Sequence, residues 1–348
     1  MDPLPLDSWM AAIPDTVSLG QLSLAGTHNS SAYRTSYPSV RCQNVNVTVQ
    51  LAHGVRFLDL RLARSYLPLS RSSLQVVHGA FPVAASHSVS LDKELARVYA
   101  FLRSHPSETV IVSLKGEGPY GWREHDLAQL LARHYLDPAA DRWFREPRIP
   151  ALGECRGRAV LLRRFDAPPA LHARSGFPAT DWPYNTAGEP AGGPSLLCVQ
   201  DYCEVNTPAH VQRKIEYVVA HIDRAGAHAG PDAYFLNFTT GANFWNMRCW
   251  PRDIAASISP AIKARMEATP GRCGILVMDF ADQDDWWLVR NIVARNVAPR
   301  PSSVPSLAPA SLSSASLSSA STAADGDGDQ ENPARGLELE LPLELPTP

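Results

Sequence analysis

The sequence predicts an α/β fold, an irregular and incomplete β/α barrel of the TIM type, and three observations lead to it. Short apolar segments recur along the chain, helical segments separate several of them, and one joint between segments is too short for a helix. The apolar segments are nearly continuous, which is typical of parallel strands buried on both faces. We expect strands at 21–26, 55–62, 74–79, 109–117, 159–165, 196–202, 234–240 and 274–281.

Four stretches between these strands carry apolar residues at helical spacing, at 90–105, 124–136, 207–225 and 253–267. Thr207 is suited to cap the third of these helices, and Pro208 suits its first position. Only about a dozen residues join the second and third strands, so no helix covers that joint. Helices on the outside of a parallel sheet, with this gap, predict a barrel that is not complete.

Composition sets the limits of the folded unit. The chain has 348 residues, 45% of them hydrophobic, and we expect one barrel domain over residues 5–297. From residue 298 the chain is rich in Ser, Ala and Pro, which predicts a disordered tail over 298–348.

The formal net charge of -3 argues against a dedicated nucleic-acid-binding protein. No apolar run is long enough to span a bilayer, and the N-terminus has no signal-peptide pattern. These features predict a cytoplasmic protein or one peripheral to a membrane, with secretion left open.

Cysteine usage indicates neither a zinc motif nor a disulfide framework. The six cysteines are scattered and form no CxxC pair, so free buried thiols are expected. A bridge between Cys198 and Cys203 is the most plausible exception.

Polar residues stand at the C-terminal ends of the predicted strands. In a parallel barrel these ends meet at one rim, where active sites lie. Two imidazoles can act as general base and general acid across one phosphoryl group, and an arginine can bind its non-bridging oxygens. A carboxylate bonded to an imidazole fixes its tautomer. The strand-end residues are His28, Asp59, Arg61, His78, Lys115, Glu117, Arg164, Asp201, Asn237 and Asp279.

Eight blocks of the sequence together resemble the X-domain of bacterial-type phosphatidylinositol-specific phospholipase C, a PLC-like phosphodiesterase. They are DSWMAAIPDTVSLGQLSLAGTHNSSAY, GVRFLDLRL, VVHGAF, PSETVIVSLKGE, GRAVLLRRF, CVQDY, YFLNFTTG and ILVMDFAD. The resemblance implies an incomplete TIM-like barrel. It also implies cleavage of phosphatidylinositol or a glycosylated form of it at a membrane surface, which releases diacylglycerol and a cyclic inositol phosphate.

The resemblance assigns roles by matched position. His28 would be the general base that activates the inositol 2-hydroxyl, and His78 the general acid that protonates the leaving oxygen. Asp279 would orient His28, and Arg61 would hold the phosphate where calcium-dependent relatives carry a metal-binding carboxylate. We therefore expect no metal and no cofactor. Inositol-hydroxyl contacts fall on Lys115, Arg164 and Asp201.

Two positions depart from the family pattern. Asn29 stands where the bacterial enzymes usually carry Asp, so it adds no negative charge behind His78 and Arg61, and Asp59 is the nearest residue that could compensate. Cys203 stands where the family has a ring-stacking tyrosine, with Tyr202 adjacent as a candidate contact. A shift of one residue on a strand turns a side chain to the opposite face.

Several structural alternatives remain open at this stage. Asp59 and Glu117 could be salt-bridge partners only, and Lys115 could simply pair with Glu117. Either Arg163 or Arg164 faces inward, and the resemblance selects Arg164. The rim tryptophans Trp245, Trp250, Trp286 and Trp287 could insert at a lipid interface, although packing against helices is slightly favoured. The Pro- and Gly-rich insertion after residue 165 is a lid or a surface loop.

Three functional readings follow. The first is a monomeric phospholipase C that acts on phosphatidylinositol or glycosyl-phosphatidylinositol. The second is a related barrel phosphodiesterase of the glycerophosphodiesterase or sphingomyelinase-D type, which would need carboxylates around a divalent ion. The third is a catalytically weak inositol-lipid-binding protein, suggested by Asn29 and Cys203.

Overall fold

A single sheet of twelve strands organises the chain in the computed structural model, which describes residues 4–65, 73–191, 196–228 and 230–297. The tail expected at 298–348 lies outside the described residues. The strands are β1 (Leu24–Thr27), β2 (Phe57–Arg64), β3 (Leu74–His78), β4 (Phe81–Pro82), β5 (Val110–Gly116), β6 (Trp143–Phe144), β7 (Ala159–Arg164), β8 (Phe177–Pro178), β9 (Ala187–Ala191), β10 (Leu196–Gln200), β11 (Ala233–Phe238) and β12 (Ile275–Met278).

Within the described residues, seven α-helices accompany the sheet: α1 (Val47–Ala52), α2 (Leu91–Ser104), α3 (Asp126–Leu131), α4 (Leu152–Cys155), α5 (Pro208–Ala227), α6 (Pro251–Ala268) and α7 (Gln283–Val297). The four predicted helices correspond to α2, α3 with the π turn Ala132–Leu136, α5 and α6. Thr207 caps α5 by accepting a hydrogen bond from the backbone N–H of His210, and Pro208 is its first residue. The sequence analysis did not predict the short helices α1 and α4, nor α7.

The strands follow the order β6-β7-β5-β2-β1-β12-β11-β10-β9, and neighbours from β6 to β10 run parallel. Among the described residues, β7 and β10 do not pair with each other, so the curved sheet stays open between them. An edge strand, β9, pairs antiparallel with β10. Strands such as β5 are buried from Val110 to Leu114, as expected for a sheet covered on both faces.

The third strand differs from the parallel arrangement expected for it. β3 runs antiparallel to β2, with Leu62 opposite Val76 and Arg64 opposite Leu74. The short connection explains this difference, because antiparallel strands need no crossover whereas parallel neighbours need a dozen residues or more, usually a helix. β2 therefore continues past the rim, and β3 folds back along it.

A buried ion pair ties the N-terminal segment to the barrel. The Arg56 guanidinium donates to Glu108 Oε2 at 2.7 and 2.9 Å, and both residues are fully buried. Arg56 also donates to the carbonyls of Leu6 and Asp7, and Glu108 accepts from the backbone N–H of Met10. This network satisfies two charges that would be costly to bury alone. No helix within the described ranges is long and apolar enough to cross a bilayer.

Candidate active site

A cleft of about 550 Å³ opens at the carboxyl ends of the parallel strands. The polar strand-end residues converge as expected, because the cleft is lined by side chains that lie on β2, β3, β5 and β7 or directly after β1, β5 and β10. The predicted residues that line it are His28, Arg61, His78, Lys115, Glu117, Arg164 and Asp201.

His28 follows β1 and is held on both ring nitrogens. Nδ1 lies 2.8 Å from Oδ1 of Asp279, a buried carboxylate that follows β12. The side-chain amide of Asn29 donates to Nε2 at 3.0 Å, so the neutral ring carries its proton on Nδ1 and donates it to Asp279. Burial raises the pKa of Asp279 well above its ordinary value. Burial, together with the charge of Arg61, lowers the pKa of His28 well below its ordinary value, which keeps the imidazole neutral.

His78 reaches the same place from the antiparallel strand. The β2–β3 register places Val76 opposite Leu62, and His78 follows two residues later at the end of β3. Its ring centroid lies 5.5 Å from that of His28, with the rings nearly perpendicular. Nδ1 donates to the Val40 carbonyl at 2.9 Å, which leaves Nε2 for other partners. Burial and the charge of Arg61 lower the pKa of His78.

Two carboxylates hold three cations in the cleft. Asp59, fully buried, accepts from Arg61 Nε at 3.0 Å and from Arg164 at 3.2 Å. Glu117 accepts from Arg61 at 3.0 Å and from Lys115 at 2.7 Å. The pairing of Lys115 with Glu117 is thus present, and Lys115 lines the cleft as well. Asp166, Asp201 and Glu204 also line the cleft, so its charge is mixed, and the three cations are concentrated around Asp59 and Glu117.

The pKa shifts of the carboxyls follow from this pairing. Burial alone would raise the pKa of Asp59, but Arg61 and Arg164 outweigh it and lower the pKa below its ordinary value. Burial also opposes ionisation of Glu117, but Arg61 and Lys115 lower its pKa to about 2. Both carboxylates therefore stay ionised and paired across the physiological pH range.

Arg164, rather than Arg163, faces the cleft. Arg163 instead donates to the Phe165 carbonyl. The guanidinium of Arg164 lies 3.5 Å from the ring centroid of Trp182, a cation–π contact. Burial lowers the pKa of Arg164 to about 10.

Trp182 and Tyr184 line the cleft and were missed by the sequence analysis. Both lie in the insertion that follows β7, where aromatic residues among prolines and glycines were the available signal. Tyr184 is 75% exposed and donates from its hydroxyl to Glu204 at 2.9 Å.

The Asn29 side chain contacts His28, and Asp59 binds Arg61 directly, in agreement with the expectation that Asp59 compensates for the amide. Two other expectations are corrected. Tyr202 is not among the residues that line the cleft, because its ring packs at 5.3 Å against Tyr217 of α5, and Cys203 faces the cleft in its place. All six cysteines are free, so the candidate bridge between Cys198 and Cys203 is wrong.

Aromatic side chains are exposed beside the cleft. Phe81 and Phe244 stack with centroids 5.0 Å apart, and Trp245 packs edge-on to Phe244. Trp245 is 90% exposed, so the favoured expectation that it packs against helices is wrong. Trp286, in contrast, packs inside the protein as expected: it is buried and stacks on His53. Gly79 and Ala242 line the cleft, and each stands two residues before one of the stacked phenylalanines, which places these aromatics beside the cleft.

The fold and the site together are an open β/α barrel whose cleft is lined by two imidazoles and a guanidinium. Comparison with known proteins relates this arrangement to phospholipases. Residues 22–165 match the family described as phosphatidylinositol-specific phospholipase C, X domain. This match confirms the resemblance drawn from the sequence blocks.

Individual relatives cover most of the chain. A 1-phosphatidylinositol phosphodiesterase of Listeria monocytogenes is 26% identical over 304 residues, which are 83% of this chain and 84% of that protein. A phosphatidylinositol-specific phospholipase C variant from Staphylococcus aureus superposes with a TM-score of 0.73 at 22% identity, covering 85% of this chain and 99% of that one. The Listeria monocytogenes enzyme superposes with a TM-score of 0.63 at 23% identity, covering 84% and 98%. The predicted irregular barrel is confirmed.

We predict that Asp59→Asn destabilises the fold by about 3 kcal/mol, because it leaves two desolvated guanidiniums without their shared carboxylate. Urea unfolding measures this change. Asp126→Asn is the matched control, since its pair with Arg64 is about half exposed, and it should cost less than about 1 kcal/mol. If both substitutions lowered the free energy of unfolding equally, the pairing of Asp59 with the two guanidiniums would not be the larger contribution to stability.

Proposed function

We propose that this chain is a phosphatidylinositol-specific phospholipase C. The inositol 2-hydroxyl would attack phosphorus, the bond to the diacylglycerol oxygen would break, and a cyclic inositol phosphate would form. One observation carries the proposal: the rings of His28 and His78 meet edge to face at 5.5 Å in the cleft that Arg61 also lines. Two imidazoles at this separation can serve one phosphodiester as base and acid.

His28 is the proposed general base. It is neutral, its Nδ1–H is fixed by Asp279, and its Nε2 lone pair is available for the hydroxyl proton. In the free protein the Asn29 amide occupies that lone pair, so the substrate hydroxyl must displace it. Asp279 would then stabilise the imidazolium that forms, in the way that buried carboxylates support catalytic histidines.

His78 is the proposed general acid. Its Nδ1–H is held by the Val40 carbonyl, so Nε2 would deliver the proton to the departing oxygen. The positive charge of Arg61 disfavours protonation of His78 in the free protein. A bound phosphate would offset this charge and favour the protonated form, so substrate binding would itself prepare the acid.

Arg61 is the proposed phosphate ligand, and no metal is required. Its guanidinium is fixed by Asp59 and Glu117, and it can donate to non-bridging oxygens whose charge grows during attack. The same pairing argues against a metal-dependent phosphodiesterase, because both carboxylates are committed to cationic side chains. Lys115, Arg164 and Asp201 are the proposed contacts of the inositol hydroxyls, with Trp182 as an aromatic wall.

The exposed aromatics beside the cleft support action at a membrane surface on phosphatidylinositol or a glycosylated form of it. Phe244 and Trp245 can enter the interfacial layer while the cleft faces the lipid. We propose that residues 5–297 act as a monomeric catalytic unit, with 298–348 as an appended tail. A catalytically weak lipid-binding protein is the remaining alternative, favoured by the Asn29 amide on the base nitrogen.

We predict release of water-soluble inositol phosphate from labelled phosphatidylinositol, but not release of head groups from phosphatidylcholine or sphingomyelin. His28→Ala and His78→Ala should each lower the rate by about a hundredfold or more, because each removes one proton-transfer group. His134→Ala, at an exposed position, is the control and should leave the rate unchanged. A wild-type rate in either cleft variant would remove that residue from the mechanism, and binding without turnover would favour the lipid-binding alternative.

Chelators should not lower the activity, because Arg61 supplies the charge that a metal would otherwise bring. The measurement is the phosphatidylinositol cleavage rate before and after excess EGTA or EDTA, followed by addition of calcium. Loss of the rate with EGTA and its return with calcium would refute the metal-free mechanism.

Trp245→Ala should weaken binding to phosphatidylinositol-containing vesicles by about tenfold, equivalent to ~1.4 kcal/mol, because it removes an exposed ring from the interface. Vesicle sedimentation measures the affinity. Trp245→Phe is the matched control and should retain most of it. The rate on a monomeric, water-soluble inositol phosphodiester should be the same in all three proteins. An unchanged vesicle affinity in Trp245→Ala would exclude this ring from membrane contact.

A further inference from the structure

A buried thiol that the proposed reaction does not use lies next to the histidines of the cleft. Cys42 is fully buried, and its sulfur lies 3.7 Å from Nδ1 of His78. Ligand atoms of Cys42, His28 and Asp279 all lie within 4.8 Å of one another. Three different metal-binding groups, all buried, thus meet beside the proposed base.

The cluster has an unused ligand atom. Asp279 is 5% exposed, its Oδ1 contacts His28, and among the described residues its Oδ2 has no hydrogen-bond partner other than the nearby Cys42 thiol. Burial and the nearby Asp279 raise the pKa of the Cys42 thiol well above its ordinary value, so the free protein holds this sulfur protonated. A bound cation could be coordinated by both the carboxylate oxygen and the sulfur.

We propose that His28, Cys42 and Asp279 form an inhibitory binding site for a borderline-soft divalent cation such as Zn²⁺. Nitrogen, sulfur and oxygen bind Zn²⁺ at about 2.0–2.3 Å, which places tetrahedral ligands about 3.3–3.8 Å apart. Side-chain movements of about an ångström would bring the three atoms to that geometry, and the fourth position would open to the cleft. Hard cations such as Ca²⁺ prefer several oxygen ligands, and this cluster offers a single carboxylate.

Binding would release two protons and move a third. The Cys42 thiol and the Asp279 carboxyl, whose pKa values burial raises, would lose their protons to solvent. His28 would bind the ion through Nδ1, the nitrogen that now faces Asp279, and its proton would move to Nε2. That proton could be donated to Oδ1 of Asn29 once the amide turns over. Among the described residues this oxygen is now buried without a partner. A metal-bound histidine commonly donates its other N–H to such an acceptor.

Inhibition follows from this change of tautomer. With a proton on Nε2, His28 has no lone pair to accept the proton of the inositol hydroxyl. The inhibition therefore rests on the proposed function, whereas binding of the ion does not.

The first test measures the rate of phosphatidylinositol cleavage against ZnCl₂, with each protein normalised to its own metal-free rate. We expect inhibition by Zn²⁺ that EDTA reverses, and none by Ca²⁺ or Mg²⁺ at equal concentration. Cys42→Ser should raise the half-inhibitory concentration by about tenfold or more, because a ligand is lost. Cys203→Ser is the matched control, since this thiol lines the cleft and is more accessible. An unchanged response in Cys42→Ser, or loss of inhibition in Cys203→Ser instead, would overturn the proposal.

The second test does not depend on activity. Co²⁺ added to the His78→Ala protein should give a thiolate-to-cobalt charge-transfer band in the near ultraviolet, saturating at one ion per chain. The band should be absent after the further substitution Cys42→Ser and should disappear when Zn²⁺ is added. A protein without phospholipase activity would still show the band if the site exists. Its absence, or its persistence in Cys42→Ser, would overturn the site whatever the enzyme does.

Discussion

The site depends on one buried carboxylate, Asp59, placed between two guanidiniums. It bonds Arg61 at 3.0 Å and Arg164 at 3.2 Å while fully buried. Removing these charges from water is costly, and close pairing offsets the cost only while all three residues keep their geometry. Arg61 is further fixed by Glu117. Its guanidinium is therefore held rigidly beside the imidazoles before any substrate arrives, and preorganised charge of this kind is effective in stabilising a transition state.

The irregularity of the barrel serves the same site. In a regular barrel a helix would separate β2 from its neighbour, and His78 would lie beyond the rim. Here β3 returns antiparallel along β2, with Val76 opposite Leu62, and this brings His78 back toward the cleft. The proposed general acid is thus carried on a hairpin and the proposed general base directly follows β1, and the two rings meet at 5.5 Å. The antiparallel hairpin of β2 and β3 thus explains both the missing crossover helix and the closeness of the two histidines.

The sequence predicted what depends on local pattern and missed what depends on long-range geometry. Periodicity located eight strands and four helices, because burial imposes that pattern on any sheet covered by helices. It could not give the direction of β3, which depends on pairing, although the short joint excluded a crossover helix. The contact of Asn29 with His28, the burial of Cys42 beside Asp279 and the packing of Trp182 on Arg164 join distant segments or depend on rotamers. Tyr202 was placed wrongly because the facing of residues after a strand end is set by the turn that follows.

Phosphorus-31 NMR of the reaction, followed in ¹⁸O-labelled water, tests the central mechanism most directly. If the inositol hydroxyl attacks under the control of His28 and His78, a cyclic phosphodiester resonance must appear first, without ¹⁸O, and any monoester must follow it. A monoester that carries ¹⁸O from the earliest time points, with no cyclic intermediate, would mean that water is the nucleophile. That result would contradict the proposed roles of the two imidazoles.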